Sequence, residues 1–233
     1  LPESQARLAD AVLALGKPTV VVLFNGRPLD IRRLSERADA ILEAWFPGNE
    51  GGSAVADVLF GDRLPEGRLT MSFPYTVGQV PVYYNGFSTG RPIDREWSDQ
   101  RYLSRYIDIP NAPLYPFGFG LHYTTVTYGK PVLSAPSMTE ELAACISVTN
   151  SGNRPAVETV QLYIRDVCGS VVRPVRELKG FQKVRLAPGE TAKIRFVITR
   201  DMLAFTHADG ARYAEPGDFL AGVGSNAADV QEM

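Results

Sequence analysis

The chain has 233 residues, enough for one large domain or two ordinary ones, and its 45% hydrophobic and 21% charged content is that of a soluble globular protein. A net charge of −2 supplies no attraction for nucleic acid or an anionic membrane, and no apolar run approaches the roughly 20 residues that span a bilayer. Cys145 and Cys168 allow at most one internal bridge, and the two distant histidines, His122 and His207, make no metal cluster. With no GxxxxGK phosphate loop either, no cofactor is expected.

A helix is expected to open at Pro2 and Glu3, with Leu8, Val12 and Leu15 as its apolar face and Gly16 as its stop. Residues 19–24 form a nearly continuous β-branched run, which suits a strand covered on both faces. A turn at residues 25–28 follows, then a helix over 29–37 with Ile31 and Leu34 inward. A second strand is expected over 40–46, a helix after Gly52 and a further strand over 69–73. This alternation predicts a mostly parallel α/β sheet.

Residues 74–116 have no clear period and are rich in Tyr, Pro, Gly and Asn. Loops this long inside compact domains are functional or wrap across a neighbour. Aromatic rings stack on the C–H faces of sugars and polar groups bond their hydroxyls, so the composition suits a carbohydrate. From Thr124 onward short strands alternate with turn residues, over 144–150, 159–164, 181–186, 192–198 and 219–223. In the second of these, Val160, Leu162 and Ile164 alternate with Gln161 and Tyr163. The pattern predicts a β-sandwich. The boundary falls near residues 121–128, giving an α/β part over 1–122 and an all-β part over 123–233.

The most informative stretch is AWFPGNEGGSAVADVLFGD, residues 44–62: a buried strand, a glycine-rich turn and a helix. Pro47 and Gly48 end the strand. Glu50 stands at the mouth of the helix, where free N–H groups favour a carboxylate. Such strand-to-helix turns lie on the carboxyl edge of an open α/β sheet, where ligands bind.

This stretch also carries a family resemblance. Together with PEGRL at 65–69, SFP at 72–74, VPVYYN at 80–85, TGRP at 89–92, LYPFGFGLHYTT at 114–125, VTNSG at 148–152 and ELKGFQKV at 177–184, it resembles the C-terminal part of glycoside hydrolase family 3 enzymes. The similarity is strongest to the periplasmic bacterial β-glucosidases of that family, and it covers nearly the whole chain in order. It implies a partial α/β sandwich followed by a fibronectin type III-like module, and a periplasmic or secreted location. Its members hydrolyse β-glycosides with retention, using an aspartate nucleophile and a glutamate acid/base about 5–5.5 Å apart. The resemblance places the nucleophile on a TIM barrel N-terminal to this chain and the acid/base glutamate just before Leu1. Neither maps onto the sequence, so a C-terminal fragment, or one piece of a cleaved or split enzyme, is expected. The absence of a signal peptide at residues 1–5 accords with a chain that begins in mid-protein.

The expected partners are a β-glucoside or oligosaccharide, the N-terminal barrel and a second copy as a homodimer. The candidates for substrate contact are Glu50, Arg27, Tyr83, Tyr84, Asn85 and Arg91. Each also has a plainer reading. Glu50 can act as a helix N-terminal charge or a structural ion pair, Arg27 as an ion pair, and Tyr83 and Tyr84 as loop anchors. Trp45 is expected in the core, and Trp97 as either a contact or a half-buried loop residue. A non-catalytic carbohydrate-binding module and a β-xylosidase remain as alternative functions.

Overall fold

The computed structural model describes residues 1–92, 100–138 and 141–233. The α/β half contains helix α1 (Glu3–Leu13), strand β1 (Val20–Leu23), α2 (Arg32–Arg37), β2 (Ala40–Glu43) and α3 (Gly51–Phe60). Strands β1 and β2 pair in parallel, Val20 opposite Ala40 through Leu23 opposite Glu43. Leu23, Ile31, Leu34 and Phe73 make the core, with Ala9, Leu13, Ile41, Trp45 and Tyr115 packed around it.

Several local expectations are corrected here. The face of α1 that meets the core carries Ala9 and Leu13. Leu8, Val12 and Leu15 instead face outward, Leu15 with 70% of its surface exposed. Val20 and Phe24 are exposed too, so β1 is covered on one side rather than two. Helix α2 starts at Arg32 rather than residue 29, because the Asp30 carboxylate accepts the Arg32 N–H and holds the preceding chain in a local turn. Strand β2 stops at Glu43 because the Glu43 carboxylate takes the Trp45 N–H at 2.9 Å and Trp45 adopts a φ of 49°. Residues 69–73 form no regular strand. They meet residues 114–119 through scattered bonds, among them Phe73 N–H to Tyr115 C=O at 2.8 Å and Gly118 N–H to Leu69 C=O at 2.7 Å.

The all-β half is a sandwich of two antiparallel sheets. Strands β3 (Val126–Tyr128), β4 (Val132–Leu133) and β8 (Thr191–Ile198) all pair with β5 (Leu142–Asn150). The other sheet runs β12 (Asp229–Glu232), β11 (Phe219–Asn226), β6 (Ala156–Asp166), β7 (Glu177–Leu186). A short helix α4 (Arg200–Leu203) and the pair β9 (Phe205–Thr206) and β10 (Arg212–Tyr213) sit beyond β8. The core is Ile146 and Val148 of β5, Val160, Leu162 and Ile164 of β6, Ile194 and Phe196 of β8 and Val223 of β11. Cys145 and Cys168 are both free thiols.

Strand β6 is buried on both faces from Ala156 to Ile164. Its outer face receives the α/β half. The Gln161 amide donates to the carbonyls of Gly118 at 3.1 Å and Ser225 at 2.5 Å, and its oxygen accepts the Tyr163 hydroxyl at 2.6 Å. Gly118 has a φ of 81°, and a Cβ there would overlap the Gln161 carboxamide, so only glycine serves. Near the start of β6 the Glu158 carboxylate, 4% exposed, accepts the Arg68 guanidinium at 2.8 Å and lies 2.8 Å from His122 Nε2. Burial alone would raise the Glu158 pKa. The His122 hydrogen bond and the Arg68 charge outweigh it and hold the carboxyl below its ordinary value.

Removing one partner of a buried ion pair strands the other. Glu158→Ala is therefore expected to lower stability by about 3–5 kcal/mol in urea unfolding. A carboxyl with a depressed folded pKa contributes fully above its ordinary value, 4.5, and loses that contribution as pH falls through the folded value. The urea midpoint of the wild-type chain should drop on acidification below about pH 4.5, and that of Glu158→Ala should drop less.

Candidate functional site

The carboxyl ends of β1 and β2 lie side by side because the strands are parallel and in register. Two turns therefore converge at this edge. The first, after β1, contains Asn25, Gly26 and Arg27; the Asn25 amide donates to the Arg27 carbonyl at 2.8 Å and shapes the turn. The second, after β2, runs Ala44 to Glu50 and leads into α3. Phe46 lies against Gly26, where a Cβ would stand 2.7 Å from its ring. Phe46 is nevertheless 80% exposed, and Phe24 and Phe60 are also open to solvent.

Glu50 is the N-cap residue of α3, as its place before the glycines suggests, and its side chain is exposed and makes no capping hydrogen bond. Gly51 is buried beside it, and a Cβ there would come within 2.5 Å of the Pro47 ring. Close approach, rather than unusual φ, is why glycine stands at the start of this helix. Arg27 is exposed at the same edge.

Glu43 is the carboxylate that the sequence pattern conceals. It reads as the last residue of an apolar strand, yet its side chain turns back into the β2–α3 turn. Burial raises its pKa, partly offset by hydrogen bonding to the Trp45 N–H and Asn25. One carboxylate oxygen is buried without a hydrogen-bond partner, as is the Asn25 side-chain oxygen. The available signal was positional: a charged residue at the carboxyl end of a parallel strand.

The long loop holds the remaining candidates, and the structure separates them. A buried Gln79 organises it, donating to the carbonyls of Pro110 at 2.8 Å and Ala112 at 3.1 Å and accepting the Tyr75 N–H at 2.5 Å. Tyr83, 71% exposed, and Asn85 face outward. Arg91 is exposed, with its guanidinium 5.9 Å from the Tyr102 ring centre. Tyr84 departs from the expected substrate contact: its ring stacks on Phe117 at 4.1 Å and 15°, with Tyr163 edge-on at 6.0 Å. Trp45 packs on the α/β core, tilted against Phe73 at 5.9 Å. Trp97 lies outside the described residues. Among the described residues no His, Cys, Asp and Glu cluster could hold a metal ion.

Residues 1–123 match the glycosyl hydrolase family 3 C-terminal domain. The chain belongs to glycoside hydrolase family 3. Residues 158–227 match a fibronectin type III-like domain, which accords with the sandwich. A periplasmic β-glucosidase of Salmonella typhimurium is 48% identical over 234 residues, covering 100% of this chain and 30% of that protein. A β-xylosidase of Formosa agariphila is 44% identical over 224 residues, covering 95% of this chain and 30% of that protein. The crystal structure of a β-glucosidase from Listeria innocua in complex with isofagomine is similar with a TM-score of 0.94 and 44% identity, over 100% of this chain and 33% of that one. The chain thus spans about three tenths of the length of the family 3 proteins it matches.

Two substitutions separate architecture from chemistry at the β2–α3 turn. Gly51→Ala should cost about 1–3 kcal/mol, because the new methyl group meets the stiff Pro47 ring. Glu50→Ala should stay within about 0.5 kcal/mol of wild type, since an exposed side chain without a bond has little to lose. Thermal or urea unfolding of the two variants measures both.

Proposed function

We propose that this chain is the C-terminal portion of a retaining, exo-acting β-glucosidase that releases terminal β-D-glucosyl residues from β-glucosides and cello-oligosaccharides. The observation that carries the reading is likeness along the whole chain to proteins named as β-glucosidases, at 48% identity in the Salmonella typhimurium relative. The fold of the Listeria innocua β-glucosidase, also seen in complex with glucose, supports it. The nucleophilic aspartate and the acid/base glutamate come from the part of the enzyme N-terminal to this chain. The present chain walls one side of the pocket with the carboxyl edge of β1 and β2, and Tyr83, Asn85, Arg91, Arg27 and Glu50 are its substrate-facing candidates. Exposed apolar residues of the α/β half, among them Leu8, Leu15, Phe24, Phe46 and Phe60, support contact with that N-terminal part. The likeness to a periplasmic relative supports a periplasmic or secreted location; among the described residues no helix is long and apolar enough to cross a membrane.

A β-xylosidase is the second reading, favoured by the Formosa agariphila relative at 44% identity. The two sugars differ by one hydroxymethyl group, so the ratio of kcat/KM for aryl β-glucoside and aryl β-xyloside decides between them.

The chain alone should not hydrolyse an aryl β-glucoside, whereas co-expression with the barrel-bearing N-terminal part should restore hydrolysis. A chain active by itself would relocate the catalytic carboxylates and bring Glu43 and Glu50 forward. A chain that is soluble and unfolds cooperatively without its partner would argue that the open apolar face needs no cover.

A further inference from the structure

Resting on the family 3 glycosidase reading above, we propose that Tyr84 is a positioning residue through which the sandwich domain sets the sugar-facing surface of the long loop. Tyr84 is held from both halves of the chain. Phe117, at the end of the α/β half, stacks on one side of its ring, and Tyr163 of β6 meets it edge-on. Its hydroxyl accepts the Leu178 N–H of β7 at 3.3 Å. Beyond Tyr84 the grip continues through backbone: the Val175 N–H donates to the Gly86 carbonyl at 2.9 Å, and Phe87 forms an antiparallel bridge with Pro174. The β6–β7 connection therefore holds residues 84–87 as an added edge segment. Tyr83 and Asn85, on either side of the clamped ring, remain exposed.

This arrangement answers a problem of entropy. Much of the described part of the loop lacks regular structure, and each residue that substrate binding must order costs about 1–2 kcal/mol of backbone freedom. Ordering the segment in advance against a rigid sheet removes that cost from the binding step. The ring that anchors does not touch sugar; its two exposed neighbours do. The sandwich thereby acts on substrate affinity without presenting a residue to the substrate, and its contribution belongs to KM more than to kcat.

The test uses the enzyme assembled from this chain and its barrel-bearing part, with an aryl β-glucoside. Tyr84→Ala should raise KM about tenfold, the loss expected for one good aromatic stack, with kcat within about twofold. Tyr84→Phe keeps the stack and should restore KM to within about twofold of wild type. In the same assembly, amide exchange at Val175 should quicken in Tyr84→Ala and much less in Tyr84→Phe, whereas Leu178 loses its hydroxyl acceptor in both. Should Tyr84→Ala fail to fold, Phe117→Leu removes the stack from the other side and should raise KM in the same way. An unchanged KM beside quickened exchange would overturn the proposal, as would a fall in kcat with KM unchanged. Inactivity of the wild-type assembly towards both glucoside and xyloside would instead overturn the glycosidase reading, and this proposal with it, before any variant is measured.

Discussion

Glu158 is buried near the start of β6, and a buried carboxylate stays ionised only where cations and donors reach it. Within the sandwich the Thr159 N–H reaches it at 2.6 Å, and the cation comes from elsewhere. Arg68 comes from the α/β half and His122 from the connection between the halves. A charge encoded in one half is thus satisfied by residues of the other, and separating them would leave Glu158 without its cation. The rest of the junction follows from this pairing. It holds the outer face of β6 against residues 117–118, where Gln161 finds its acceptor and Gly118 its required conformation.

The junction also explains how a structureless segment can be useful. Residues 74–92 cross from the α/β half to the sandwich, are tied down at Gln79 and Tyr84, and meet the β6–β7 connection. The side chains that grip are enclosed, and those between them are free. Such a loop gains precision from its supports rather than from regular hydrogen bonding of its own. In the proposed enzyme the fibronectin type III-like domain serves the sugar site from a distance in this way.

The α/β half presents the opposite case. Among the described residues, its two parallel strands and three α-helices bury a small core around Leu23, Leu34 and Phe73 and leave a second apolar surface open. Purely parallel sheets are stable when both faces are covered. In the proposed enzyme the N-terminal part supplies that cover and the catalytic carboxylates together, so assembly of the fold and assembly of the active site become one event.

Much of this was legible in the amino-acid order. The β-branched runs and turn residues located the principal strands of both halves, and the GNEGG segment marked the carboxyl-edge turn before α3. Those signals are local: backbone preference and side-chain period are set within a few residues. What the tertiary structure decided was which face meets what. The alternation in β6 reads as a core face and a solvent face, yet Gln161 and Tyr163 are buried, because another part of the chain arrives to receive them. In and just after α1 the spacing of Leu8, Val12 and Leu15 suggests the inward face, yet Ala9 and Leu13 meet the core. Glu43 looks like the end of a strand and folds back to hold the next turn, and Tyr84 resembles its exposed neighbour Tyr83 but is enclosed. For Gln161 and Tyr84 the residue's type is local information, whereas its partner lies tens of residues away, and only packing brings them together; the Glu43 partner, the Trp45 N–H, is two residues on, and there the strand pattern hides how the side chain folds back.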